Sequence, residues 1–130
     1  MNYIEKIKKN IVVAGNGCWL WLGYADTTSG YGTMSYKGKG KGIHVVSYTV
    51  FNGEVEKGMC VCHKCDVRLC CNPDHLFKGT TRDNFDDLMT KGRKINDGTA
   101  NKWKIDLAKA INTVEDPIIK AALTRKFGVP

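Results

Sequence analysis

The sequence lacks any apolar run long enough to cross a membrane. The stretch before Cys18 is broken by Gly15, Asn16 and Gly17. No secretory h-region follows Met1, where Asn2-Tyr3-Ile4-Glu5-Lys6 opens a charged segment. No internal repeat or low-complexity tract appears. Acid is in short supply: Asp and Glu number 13 against 20 Lys and Arg, a net charge of +7. These absences argue against a membrane-spanning or secreted disulfide-rich chain. The charge favours a polyanionic partner, nucleic acid above all.

What the chain has instead is cysteine. Six cysteines occur in 130 residues, at positions 18, 60, 62, 65, 70 and 71, so five are bunched. Without a secretory context, clustered Cys and His read as a metal site rather than as disulfides. The length suggests one domain with a small appendage. An apolar content of 42% supports a modest core, and a domain this small often relies on a metal staple.

The expected order is α+β. Residues 3–10 read as a short basic amphipathic helix. Cys18-Trp19-Leu20-Trp21-Leu22 opens a strand over 18–24, and Tyr31 to Lys37 forms a second strand after a turn. Lys37-Gly38-Lys39-Gly40-Lys41-Gly42 reads as a flexible basic turn. Val45 to Phe51 is compatible with a helix or a strand, ending at Asn52-Gly53. Met59 to Cys62 is a short strand entering the Cys/His stretch. Thr81 is a good N-cap for a helix over 82–90, with Phe85, Leu88 and Met89 on one face. Residues 95–103 read as a linker. Two helices follow, over about 105–114 and 117–127, with Pro117 in the first turn of the second. The pattern divides the chain into a domain over 1–94 and a helical extension over 95–130.

The second strand shows Tyr31, Thr33, Ser35 and Lys37 on one face, a polar ribbon suited to the DNA major groove. Lys37, Lys39 and Lys41 suit phosphates. An ordinary soluble hairpin with a charged tip is the plainer reading of the same residues.

Zinc takes four soft or borderline ligands in a tetrahedron. Cys65, Cys70 and His75 are the natural local three, with Cys18 the best distant fourth. Cys60, Cys62 and Cys71 compete, although their apolar neighbours suit core thiols. His63 remains over, at the end of a strand leading into the metal loop, where a neutral, oriented histidine can act as a general base. It could also be a further ligand. Asn84 offers an oxygen to a hard cation such as Mg²⁺, or is simply a polar residue at a helix start.

The pattern His63-x-Cys65, Cys70, Asn72-Pro73-x-His75-Leu76 and Asp83-Asn84 resembles the HNH endonucleases of the ββα-metal (His-Me finger) class. It is most similar to the zinc-bound homing endonucleases with a His-Cys box. Cys18-Trp19-x-Trp21 with Gly23 resembles the start of that domain, and the resemblance covers about residues 17–94. It implies a small zinc-stabilised ββα-metal fold with an N-terminal antiparallel sheet. It implies a structural zinc on Cys18, Cys65, Cys70 and His75. It further implies His63 as the base that activates water, and Asn84 as the ligand of one catalytic Mg²⁺. The reaction would be phosphodiester hydrolysis of double-stranded DNA, leaving 5′ phosphate and 3′ hydroxyl ends.

Two departures stand out. Cys62 occupies the position before the histidine where many such enzymes carry an acidic metal ligand. The arginine often found near the scissile phosphate is missing around His44-Val45, leaving His44, Arg82 or Arg93 as substitutes. Arg93 is also a DNA-contact candidate. Residues 122–129 resemble the first half of a helix-turn-helix, whose recognition helix would fall beyond Pro130. The expected protein is therefore a Mg²⁺-dependent DNA endonuclease of homing or phage type, acting in the cytoplasm of phage-infected or host cells. A two-fold homodimer is the simplest double-strand cutter with one site per chain. The alternative is a non-catalytic zinc-stapled DNA-binding module.

Overall fold

The computed structural model describes residues 2–80 and 102–129. The helix expected over 82–90, and with it Arg82, Asn84 and Arg93, lies outside the described residues. Four helices and three antiparallel strand pairs make up what is described, an α+β fold.

Helix α1 (Tyr3–Lys9) is capped by Asn2, whose Oδ1 accepts from Glu5 N at 2.8 Å, and it buries Ile7. Strands β1 (Ile11–Val13) and β2 (Trp19–Trp21) form the first hairpin, with Val12 opposite Leu20. The other edge of β2 takes up the segment around Cys70. Leu20 bridges Cys70, Trp21 N donates to Leu69 O and Cys71 N to Trp19 O. β2, apolar throughout, thus has neighbours on both edges, and this carries Cys18 to a loop some fifty residues distant in sequence.

Strands β3 (Thr33–Tyr36) and β4 (Lys39–Gly42) pair antiparallel. The flexible basic turn expected over 37–42 is here only two residues long. Lys37 (φ 50°) and Gly38 (φ 81°) both take the positive φ that a tight hairpin turn requires. Residues 39–42 become a strand because pairing with β3 satisfies their backbone, against the weak strand preference of glycine.

Helix α2 (Ile43–Asn52) settles the ambiguous segment as a helix, with Gly53 (φ 110°) at its C-terminal cap. Ile43 and Val46 are buried, and the fully buried Ser47 donates its hydroxyl to Cys71 O at 2.5 Å. Strands β5 (Met59–His63) and β6 (Leu76–Thr80) then make a hairpin in which His63 faces Leu76 across the ladder. Lys64 N donates to His75 O at 2.7 Å, closing the base of the loop over 64–75.

Helices α3 (Lys102–Ile111) and α4 (Pro117–Phe127) complete the described fold. α3 begins at or before Lys102, earlier than its stripe suggested. Its Trp103, assigned from sequence to the linker, is buried against Gly30. Gly30 has φ +82°, and a Cβ there would sit 2.3 Å from the indole, so only glycine fits. α4 starts as expected, with Asp116 Oδ1 accepting from Ile118 N and Ile119 N. Trp103, Leu107, Ile111, Leu123 and Phe127 belong to the same buried cluster as Leu20, Trp21 and Ile43.

Candidate active site and metal centre

The loop between β5 and β6 gathers three of the four predicted ligands. Cys65 and Cys70 lie along it, and His75 ends a single turn of 3₁₀ helix, Pro73–His75. Asn72 caps that turn through Oδ1, and its Nδ2 donates to Gly17 O at 2.7 Å. One asparagine therefore ties the metal loop to the β1–β2 turn, where Cys18 follows directly. Sequence reasoning quoted Asn72 within the motif but gave it no role.

The ligand atoms of Cys18, Cys65, Cys70 and His75 lie within 4.8 Å of one another. His75 Nδ1 is 3.6 Å from Cys18 Sγ and 3.5 Å from Cys70 Sγ. A tetrahedral zinc with ordinary Zn–S and Zn–N bonds sets sulfur–nitrogen edges of about 3.6 Å, so these residues fit that ion. Three thiols at this spacing otherwise compete for one charge. Hydrogen bonding with Cys65 pushes the Cys18 thiol up, and hydrogen bonds from Cys18 and Cys70 pull Cys65 down. A divalent cation resolves the competition by deprotonating the coordinating thiols.

The three competing cysteines lie elsewhere. Cys71 is buried beside Trp19 O, and burial pushes its thiol up, as for an inert core cysteine. Cys60 and Cys62 face each other at 3.7 Å on β5.

His63 also stands outside the cage. Its Nε2 lies 3.0 Å from Cys70 O. A carbonyl only accepts, so Nε2 donates, and in the neutral ring the lone pair would sit on Nδ1. The backbone of a metal-ligand residue thus sets the tautomer of the histidine.

Beside His63 lies a column of rings. His44, from the first turn of α2, is 4.8 Å away centroid to centroid, and Tyr31 is 5.5 Å from His44. The Arg68 guanidinium lies over Tyr31 at 5.0 Å and donates Nη1 to Ser29 O at 2.8 Å. Arg68 has no ion pair among the described residues. Its position between Cys65 and Cys70 was the signal available in the sequence, and it went unread.

His44 Nδ1 is the one buried side-chain nitrogen or oxygen without a hydrogen-bond partner among the described residues. Burial first, and the nearby His63 second, lower His44 to about 3. Below its ordinary 6.5 the unfolded chain takes up a proton that the folded chain refuses. Stability is therefore full above that value and falls as pH drops toward the folded one, by up to about 1.4 kcal/mol per pH unit. Urea unfolding at pH 7 and pH 5 tests this: His44→Phe removes that part of the acid sensitivity, and an identical slope in both proteins refutes it.

The predicted DNA-binding residues divide between two faces. Thr33 and Ser35 stand opposite Gly42 and Gly40, while Met34 and Tyr36 stand opposite Lys41 and Lys39. Strand alternation therefore puts the two β4 lysines on the face away from Thr33 and Ser35. Tyr31 packs into the ring column beside His63. Lys37 occupies the turn.

The β5–β6 hairpin thus carries His63 at its inner end and a Cys₃His cluster able to hold a metal ion in its loop. Residues 41–85 match the HNH endonuclease family. The chain is also similar to Protein 2.8 of Escherichia phage T7, with 34% identity over 129 residues, 99% of this chain and 86% of that protein. It is similar to Protein 7.7 of the same phage, with 39% identity over 77 residues, 59% of this chain and 58% of that protein. The chain belongs to the HNH endonuclease family. No solved structure matches it.

Proposed function

We propose that this chain is a Mg²⁺-dependent DNA endonuclease of phage or homing type, stapled by a structural zinc on Cys18, Cys65, Cys70 and His75. The observation that carries the reading is the contact of His63 Nε2 with Cys70 O at 3.0 Å. It presents Nδ1, in the neutral tautomer, as the base that takes a proton from the attacking water. Asn84 would hold a Mg²⁺ ion, which would supply charge neutralisation for the reacting phosphate.

Arg68 holds the phosphate in this reading. His44 is neutral at pH 7 because burial lowers it to about 3, so it brings no positive charge. A guanidinium is always charged and offers a rigid fork to phosphate. Arg68→Ala is expected to weaken duplex binding and to reduce its salt slope by about one. Arg68→Lys restores the slope but not the cleavage rate. Fluorescence anisotropy against salt, with cleavage in parallel, checks both; wild-type values for Arg68→Ala remove it from the site.

Residues 1–94 carry the chemistry in this scheme, and residues 95–130 buttress it. Thr33 and Ser35 meet the duplex, with Lys37 at the turn and Arg93 on its phosphates, while Lys39 and Lys41 lie on the opposite face of the ribbon. The protein acts within the host cell, as a two-fold dimer if both strands are cut. Plasmid cleavage with and without Mg²⁺, together with zinc content, tests the reading. Zinc-loaded protein that binds duplex but cuts under no condition favours the non-catalytic DNA-binding module.

A further inference from the structure

Beside the β3–β4 ribbon, on the face away from Thr33 and Ser35, lies a cleft of about 480 Å³. Tyr36, Lys37, Lys39 and Lys41 form one wall, and Val45 of α2 and Met59 of β5 contribute apolar surface. Its size is that of a small-molecule site. Its chemistry is mixed: three ammonium groups, an aromatic ring and an apolar lining.

The Lys37 and Lys41 ammonium groups rest over the Tyr36 ring at 5.4 and 5.7 Å. The cleft's carboxylate, Glu54, approaches Lys37 at 3.7 Å, with both side chains largely exposed. Such a pair is weak and gives way readily to a phosphate. Positive charge beside an aromatic platform suits a phosphodiester with its base. In a duplex the faces of the bases are covered by their neighbours. The Tyr36 ring also packs against Tyr3 at 4.8 Å, and only an unpaired base can lie on the part this leaves open.

We infer that this cleft binds an unpaired nucleotide of the DNA strand near the cut. Nucleotide binding in the cleft stands by itself, and its placement near the cut rests on the nuclease reading. Met59 and His63 are the two ends of β5, about 13 Å apart at an ordinary strand rise. The held nucleotide therefore lies a short way along the strand from the scissile phosphate. Cleavage should then favour DNA carrying an unpaired nucleotide near the site over perfect duplex.

The test is binding of a twelve-nucleotide single strand containing 2-aminopurine to full-length His63→Ala protein without added Mg²⁺. Fluorescence quenching reports stacking. Tyr36→Leu is expected to weaken this binding roughly 5- to 100-fold, with duplex affinity unchanged, while Tyr36→Phe retains it. Tyrosine ring shifts in NMR titrations of protein with native Tyr36 give an independent measure should Tyr36→Leu fold poorly. An unchanged affinity in a folded Tyr36→Leu, or no movement of the Tyr36 ring signals on saturation, overturns the site and leaves the lysines as general phosphate contacts. Stacking in His63→Ala alongside a wild-type protein that cuts no DNA with any divalent cation would sink the nuclease reading and leave this site standing.

Discussion

His63→Ala lowers DNA cleavage by roughly 10²- to 10⁴-fold, the usual worth of a general base. Zinc content, fold and duplex affinity stay close to wild type. The reason is positional: the ring is not one of the four members of the Cys₃His cluster, and its Nε2 meets the backbone at Cys70 O. Its removal takes one hydrogen bond from the loop, worth about 1 kcal/mol, while all four metal ligands remain. Steady-state cleavage, metal analysis and anisotropy on one preparation separate these effects. Cleavage at the wild-type rate eliminates the enzyme reading, and loss of zinc alongside activity places His63 in the cage.

Cys70→Ser is expected to unfold the domain. Cys70 belongs to the Cys₃His cluster that could hold a metal ion, is fully buried, and bridges Leu20 of the central strand. Structural zinc in small domains is worth roughly 10 kcal/mol or more of apparent stability at neutral pH, comparable to the whole net stability of such a domain. A serine ligand forfeits most of that. Chelation of zinc from the wild-type chain should reproduce the effect, read by far-UV circular dichroism. A Cys70→Ser protein with native dichroism and a wild-type unfolding midpoint would show that the fold stands without its staple. Cys71→Ser, one residue away, provides the contrast: it loses buried apolar contact but no ligand, and keeps its zinc.

The ligand set was legible because metal chemistry leaves its mark as residue type and spacing. Cys65, Cys70 and His75 fall at intervals a loop can fold around, and Cys18 heads a Trp-rich strand that had to be central. The helix after Asp116-Pro117 was legible for a similar reason, since cap and first-turn residues act locally. Strand β4 was not. Its Lys-Gly alternation has little intrinsic strand preference, and the partner strand supplies the missing order. The column of Arg68, Tyr31, His44 and His63 was also hidden, because it joins four segments whose closeness depends on tertiary packing. His44 joins that column as a ring whose burial lowers its pKa.

The glycine beneath the Trp103 indole separates two residues of that column's support. Ser29, whose carbonyl anchors Arg68, and Tyr31, on which Arg68 rests, flank Gly30 directly. The C-terminal helices thus set the height of the ledge from which the guanidinium projects. Selection acting on the reaction would reach into a part of the chain with no chemistry of its own, and a catalytic defect could be inherited from an indole that never meets the substrate.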